Sequence, residues 1–151
     1  MNIEFSHTPI MLSEVLELLQ PERGGIFVDC TLGGGGHAEA ILKRLPADSR
    51  LIGIDRDRDA LEAASQRLSN FRTTFSFIQG NFFDIKQLLR KLEIDSVNGI
   101  LMDLGVSSYQ LDKPERGFSY HMEAPLDMRM DTTAGFCAYD VVNGYSFNDL
   151  R

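Results

Sequence analysis

The chain has 151 residues, 43% hydrophobic and 25% charged, with a net charge of −7 at neutral pH. That is one ordinary domain's length with enough apolar residues for a sizeable core, which excludes a disordered or fibrous protein. The acidic balance argues against a stand-alone nucleic-acid-binding module, because neutralising phosphates needs clustered Lys and Arg. It weighs less against an enzyme whose basic surface lies elsewhere. Cys30 and Cys137 make neither a disulfide framework nor a zinc spacing, so two reduced, buried thiols and no metal site are expected. No apolar stretch approaches membrane-spanning length, and "MNIEFSHTPIMLSEVLELL" lacks the basic region of a signal peptide. A cytoplasmic protein without a membrane partner is expected.

In chain order, "TPIMLSEVLELL" reads as a helix: Thr8 can cap it, Pro9 suits its first position, and Leu12, Val15, Leu16 and Leu19 share one face. Pro21 and Gly24-Gly25 stop it. "GIFVDCT" is then a strand, "HAEAILKRL" a helix and "SRLIGIDRD" a strand. "DALEAASQRL" is helical, "TTFSFIQGNF" extended and "DIKQLLRKL" helical. "VNGILMDLGV" is a strand whose apolar run suits burial on both faces. Four strands alternating with three helices predict an α/β fold with a parallel sheet and right-handed crossovers. Beyond Val106 no period is sustained, and a loop this long is usually functional or disordered; its aromatics and charged pairs favour function. Ser146-x-x-Asp149 has the form of a capping box opening a further helix, which predicts that the chain is the N-terminal part of something longer or a shortened copy.

The stretch "FVDCTLGGGGHAEAIL" turns a strand through glycines into a helix, the usual start of a nucleotide or cofactor site. Gly33, Gly35 and Ala38 satisfy G-x-G-x-x-A, the dinucleotide fingerprint, which keeps an NAD-dependent oxidoreductase as an alternative. In an open parallel sheet the ligand lies beyond the carboxyl ends of the strands. Asp29, Asp55, the Asn81-Phe82 pair and Asp103 all fall there. Asp55, 22 positions after Gly33, suits a ribose diol, which NAD and S-adenosylmethionine share. Asp29 and Asp103 discriminate: carboxylates beside the turn repel a pyrophosphate and stabilise a sulfonium and an ammonium. The balance favours S-adenosyl-L-methionine as cofactor.

Taken together, "HTPIMLSEVLELL", "FVDCTLGGGGHAEAIL", "GIDRD", "GNF", "ILMDLGVSSYQLDKPERGFSY" and "APLDMRMD" resemble the ribosomal RNA small subunit methyltransferase H family, the bacterial 16S rRNA cytosine-N4 methyltransferases. The resemblance runs from His7 to the end of the chain. It implies a class I methyltransferase (Rossmann-like) sheet, here the first four strands, with a helical domain inserted after the fourth. Residues 1–136 would form the S-adenosylmethionine-binding portion and 137–151 the truncated start of the insertion. The resemblance places Gly35, Gly36, His37, Asp55, Phe82, Asp103 and Gln110 on the donor. Its implied substrate is a cytosine of 16S rRNA in the decoding region of the small ribosomal subunit; a homodimer stays open, as does a donor-binding remnant without activity.

Methyl transfer is an in-line displacement, so positioning and electrostatics carry most of the catalysis. The cytosine amine is a poor nucleophile because its lone pair is delocalised, and an acceptor on its N–H would localise that pair. Asp103 is the candidate for that role. Arg116 and Arg129 are candidates for phosphate contact, and Tyr109, Phe118 and Tyr120 for stacking on an unpaired base. For Arg129, flanked by Asp127 and Asp131, an internal ion pair is an equal expectation.

Overall fold

The computed structural model describes residues 9–71 and 74–151; Thr8 and His7, invoked above, lie outside them. The chain forms two compact units, Met1–Leu104 and Gly105–Arg151.

The first unit is built on four parallel strands, β1 (Ile26–Asp29), β2 (Arg50–Asp55), β3 (Phe75–Gln79) and β4 (Gly99–Leu101), in the order β3-β2-β1-β4. Register pairs Asp29 with Gly53 on β2 and with Leu101 on β4, and Asp55 with Gln79 on β3. By this register Asp55 on β2 and Asp103 after β4 stand two residues beyond the level of Asp29. Four helices accompany the sheet: α1 (Leu12–Leu19), α2 (Gly36–Leu42), α3 (Arg58–Arg67) and α4 (Ile85–Arg90).

Alternation along the strands divides the core in two, because successive side chains point to opposite faces. Phe27 and Leu51 join Leu16, Ile41, Leu42, Leu61 and Leu68 from α1, α2 and α3 and the residue following α3. Val28, Cys30, Ile52 and Ile54 face the other way, onto Leu88, Leu89 and Ile94. Asn98 ties β4 to β1 from both ends of the residue: its Oδ1 accepts from the Ile26 N–H at 2.9 Å and its own N–H donates to the Ile26 carbonyl at 2.6 Å.

Two expectations are corrected here. The first helix begins at Leu12, not Pro9, behind Met11 in a left-handed conformation (φ 51°). Residues 9–11 are drawn elsewhere: the Ile10 carbonyl binds His37, and Pro9 packs where Gly36 has no side chain. β4 is not buried on both faces. It is three residues long, pairs with β1 alone among the described residues, and leaves Ile100 and Met102 45% and 46% exposed.

The second unit holds α5 (Ser108–Asp112), α6 (Ala138–Gly144) and α7 (Phe147–Leu150). The stretch expected as unbroken loop therefore contains a helix, started by a capping box between Ser107 and Gln110. The Ser146/Asp149 box opens α7 as its spacing predicts: the Ser146 Oγ accepts from the Asp149 N–H while the Asp149 carboxylate accepts from Ser146. Cys30 is buried, but Cys137 is only half-buried, since its thiol sits at the start of α6 and donates to Asp140. Among the described residues no helix is long and apolar enough to cross a membrane.

Candidate functional site

Beyond Asp29 the chain reverses through Thr31–Gly35. Gly35 precedes α2 at φ 77°, a conformation that a side chain would strain, and an added Cβ would press on Leu68 and Ala64. The turn is pinned on both sides. The Leu32 N–H donates to the Ile54 carbonyl at 3.1 Å, and the Cys30 N–H to the Leu101 carbonyl at 2.9 Å. Gly53 leaves the space that the Leu32 side chain fills.

Asp55 closes β2 and reaches back across the turn. Its Oδ2 accepts from the Gly33 N–H at 2.8 Å and its Oδ1 from the Asp57 N–H at 2.9 Å. Burial raises its pKa, and these amides oppose the rise. Each carboxylate oxygen has a further lone pair, so Asp55 keeps capacity for a ligand hydroxyl. Asp57, in turn, caps α3 by accepting from the Asp59 N–H.

Asp29 closes β1 and is 1% exposed. Its Oδ1 accepts from the Thr31 N–H at 3.1 Å, while the buried Oδ2 has no hydrogen-bond partner among the described residues. Burial pushes its carboxyl up to about 7; the Thr31 amide opposes this, and the charges of Asp55 and Asp103 add to it. The same burial, with Asp29 beside it, pushes the Cys30 thiol up to about 11.

Asp103 follows β4. Its N–H donates to the Thr31 Oγ at 2.8 Å, which fixes the chain where it leaves the sheet, and its side chain is 48% exposed. His37, in the first turn of α2, lies with Nδ1 3.9 Å from the Asp103 carboxylate and Nε2 2.9 Å from the Ile10 carbonyl. A carbonyl can only accept, so Nε2 carries the proton and Nδ1 is the nitrogen turned to Asp103.

Six of the seven sequence-predicted site residues are thus on the first unit, at the strand ends or on the turn beside them. Gly35, Gly36, His37, Asp55 and Asp103 gather there through the contacts just given. Phe82 follows β3 but is half-buried against the core cluster on the α4 side; its neighbour Phe83 is 85% exposed. Gln110 belongs to the second unit and is buried, and its Oε1 accepts from the Ser107 N–H at 3.0 Å to start α5. Thr31, whose hydroxyl joins β1 to Asp103, was missed by sequence reasoning: no local signal marks a bond between residues 72 positions apart.

In the second unit, Arg129 forms the internal pair. Its guanidinium and its own N–H both bind the Asp127 carboxylate, whose pKa Arg129 lowers. Arg116 is buried and donates to the carbonyls of Arg129 and Met130. Both Arg residues therefore build the loop. Tyr120 is 93% exposed, with its ring 4.5 Å from that of His121.

A parallel sheet in this order, with a glycine turn after β1 and carboxyls closing β1, β2 and β4, is a class I methyltransferase fold. Solved structures of that class share it: a protein described as an rRNA methylase from Clostridium thermocellum (TM-score 0.53, 18% identity, 63% of this chain and 51% of that one), and the O-methyltransferase TomG from Streptomyces achromogenes (TM-score 0.51, 22% identity, 62% and 42%). The chain belongs to the MraW methylase family, whose model matches residues 4–151. It is 49% identical over 148 residues to the ribosomal RNA small subunit methyltransferase H of Clostridium botulinum (strain Loch Maree / Type A3), covering 98% of this chain and 48% of that protein. The protein of the same name from Syntrophotalea carbinolica is 53% identical over 146 residues, 97% of this chain and 46% of its own length. The chain spans about half the length of these curated relatives.

Proposed function

We propose that this chain is the donor-binding portion of an S-adenosylmethionine-dependent rRNA methyltransferase. Its target would be the exocyclic amine of a cytosine in 16S rRNA of the small ribosomal subunit, and its compartment the cytoplasm. The observation that carries this reading is the set of three carboxyls, Asp29, Asp55 and Asp103, ending adjacent strands around one glycine turn, with Asp29 Oδ2 buried and unpartnered. A pyrophosphate would meet repulsion there, whereas a ligand carrying a sulfonium and an ammonium matches it. Residues 137–151 would begin the inserted helical domain.

When bound, the donor supplies an electrophilic methyl group on a positively charged sulfur. The residues of this chain position and polarise. Gly33, Gly35 and Gly36 would let the backbone approach closely, and Asp55 would accept from the ribose hydroxyls. His37 and Asp103 would border the methionine end, and Phe82 and Phe83, which follow β3, would border the base. Asp103, half exposed and held through its N–H by Thr31, is the acceptor available to the cytosine amine. Tyr120 offers an open ring face for an unpaired base.

Titration calorimetry with S-adenosylmethionine tests the reading on this chain. Saturable binding is expected, weakened about 10- to 100-fold in Asp55→Asn, the loss of one or two hydrogen bonds to a charged group. Binding of NAD in its place overturns the reading. Transfer of labelled methyl to 16S rRNA in unmethylated small subunits, with the chain as enzyme, tests the finer part; donor binding without transfer would leave a donor-binding remnant. For Asp103, the Asn variant of a transfer-competent form is expected to lose about 100-fold or more in turnover at saturating donor. Unchanged turnover removes the amine role.

A further inference from the structure

Of the three strand-end carboxyls, Asp29 is the one to which the reading above gives no contact with donor or substrate. Its surroundings are specific. Its own strand continues into Cys30, a thiol held in its neutral form. Two residues beyond its level on the neighbouring strands lie Asp55 on β2 and Asp103 after β4, both of which act on it electrostatically. His37 on α2 faces Asp103, and the Asp57 N–H binds Asp55. Among the described residues, the basic side chain close to these carboxyls is His37, with Nδ1 3.9 Å from Asp103. One of the Asp29 oxygens accepts the Thr31 N–H, and the Thr31 hydroxyl also acts on the carboxyl; the other oxygen is buried with no hydrogen-bond partner among the described residues. An ionised carboxylate in that position would leave a buried, half-satisfied charge, which is among the costliest arrangements a fold can hold. A protonated carboxyl avoids the cost.

The wiring to the rest of the site is equally direct. The Thr31 N–H donates to Asp29, and the Thr31 Oγ accepts from the Asp103 N–H. One residue therefore joins the buried carboxyl of β1 to the exposed carboxylate of β4. A positive charge arriving beside Asp103 and Asp55 would change the balance at Asp29 through a dry, low-dielectric interior, where charge is screened least.

We propose that Asp29 is a charge-matching residue of the donor site: it holds a proton while the site is empty and releases it to solvent when a cationic ligand settles among the strand ends. The bond broken is the Asp29 O–H, the proton leaves to water, and the carboxylate that remains faces the ligand's positive charge. Asp29 thereby favours a sulfonium- or ammonium-bearing ligand over an uncharged nucleoside of the same shape, because only the former offsets the ionised form. This inference rests on the S-adenosylmethionine reading of the site.

Calorimetry of the full 151-residue chain with S-adenosylmethionine, in two buffers of different protonation enthalpy, tests it. With the Asp29 carboxyl poised at about 7, roughly half a proton is expected to leave per donor bound at pH 7, and affinity should rise about eightfold from pH 6 to pH 7.5. The sign follows from the ionised form being the one that pairs with a cation. In Asp29→Asn the released fraction and its share of the pH dependence are expected to vanish, leaving what Asp55 and the ligand's own groups contribute. An infrared difference spectrum of the wild-type chain supplies a readout that needs no variant: donor binding should remove a protonated-carboxyl band. Donor binding with equal proton release in wild type and Asp29→Asn, or with no change in that band, overturns the inference and leaves the cofactor reading standing. No donor binding at any pH overturns the cofactor reading, and this inference with it.

Discussion

Gly117→Ala is expected to break up the second unit, raising hydrogen exchange at the amides of Met128, Ala138 and Tyr139 by about 100-fold or more. Gly117 ends the short 3-10 turn Pro114–Arg116 with φ +70°, and a Cβ there would lie 2.5 Å from the Pro125 carbonyl oxygen and 2.7 Å from the Asp127 nitrogen. Both are backbone atoms of one segment, so no side chain can rotate away. The left-handed conformation alone costs a non-glycine residue about 1–2 kcal/mol. Moving 125–128 aside costs more, because that segment is the support of α6. The Ala138 N–H donates to the Asp127 carbonyl and the Tyr139 N–H to the Leu126 carbonyl, both at 2.8 Å, and the Met128 N–H donates to the Arg116 carbonyl at 3.0 Å. These two α6 donors are among the four that any helix N-terminus must place outside itself. A total above about 3 kcal/mol is expected, and 100-fold in exchange corresponds to about 2.7 kcal/mol of local opening. Gly135→Ala is the control: an added Cβ there meets nothing within 4 Å, and a change within about 0.5 kcal/mol is expected. Wild-type exchange in Gly117→Ala would show that the 117–128 loop is not what holds α6.

This changes what "ERGFS" and "PLDMRM" mean as motifs. Sequence reasoning took their arginines and aromatics toward RNA, with an internal Arg129 pair as an equal alternative, and the structure uses both arginines inward. Such a role is invisible locally, because Arg116 finds its carbonyl partners 13 and 14 positions away. What the sequence does show is whatever one turn of chain decides: the Asp57 cap, the Ser146/Asp149 box, the glycines at the β1 turn, and the strand alternation that separates two core faces. The strand-end carboxyls were legible for the same reason, since an acid after an apolar run has few places to go in a parallel sheet. Two local rules failed where a distant contact competed. Pro9 is a good first helical residue, yet the three residues before α1 are held by His37 and Gly36. The run "GILMDLGV" is apolar enough for a fully covered strand, but covering requires a neighbour, and β4 pairs with β1 alone among the described residues. Thr31 belongs to the same class of omission: its hydroxyl matters through β4, which only the topology brings beside it.

The second large effect is on stability. Between about pH 5 and pH 7 the chain should lose stability as pH rises, and Asp29→Asn should remove most of that slope. Asp29 is an acid whose folded carboxyl is pushed up to about 7 from 3.8, with burial as the leading cause. Across that window the native state binds a proton that the unfolded chain has released, so raising the pH favours unfolding. The contribution is fully present below the unfolded value and gone above about 7. The stability lost between the unfolded value and neutral pH is on the order of 4 kcal/mol, from about 1.4 kcal/mol per pH unit. Asp55, also raised by burial, acts in the same direction. Glu39, Asp127 and Asp140 are lowered by hydrogen bonds to Lys43 and Arg67, to Arg129, and to Cys137. Their stabilisation is present above the unfolded carboxylate range and is lost as pH falls through it, which sets the acid limb. Maximum stability is therefore expected near pH 5 and not at neutrality. Thermal unfolding followed from pH 4.5 to 8 measures this, with a fall in melting temperature on the order of 10 °C expected for the wild type. In Asp29→Asn the amide keeps an oxygen for the Thr31 N–H and has no proton to lose, so its curve should be nearly flat above pH 5. A wild-type melting temperature that rises from pH 5 to pH 8, or an Asn variant with the wild-type slope, would mean that the buried oxygen of Asp29 is solvated in solution and that the strand ends carry three ionised carboxylates.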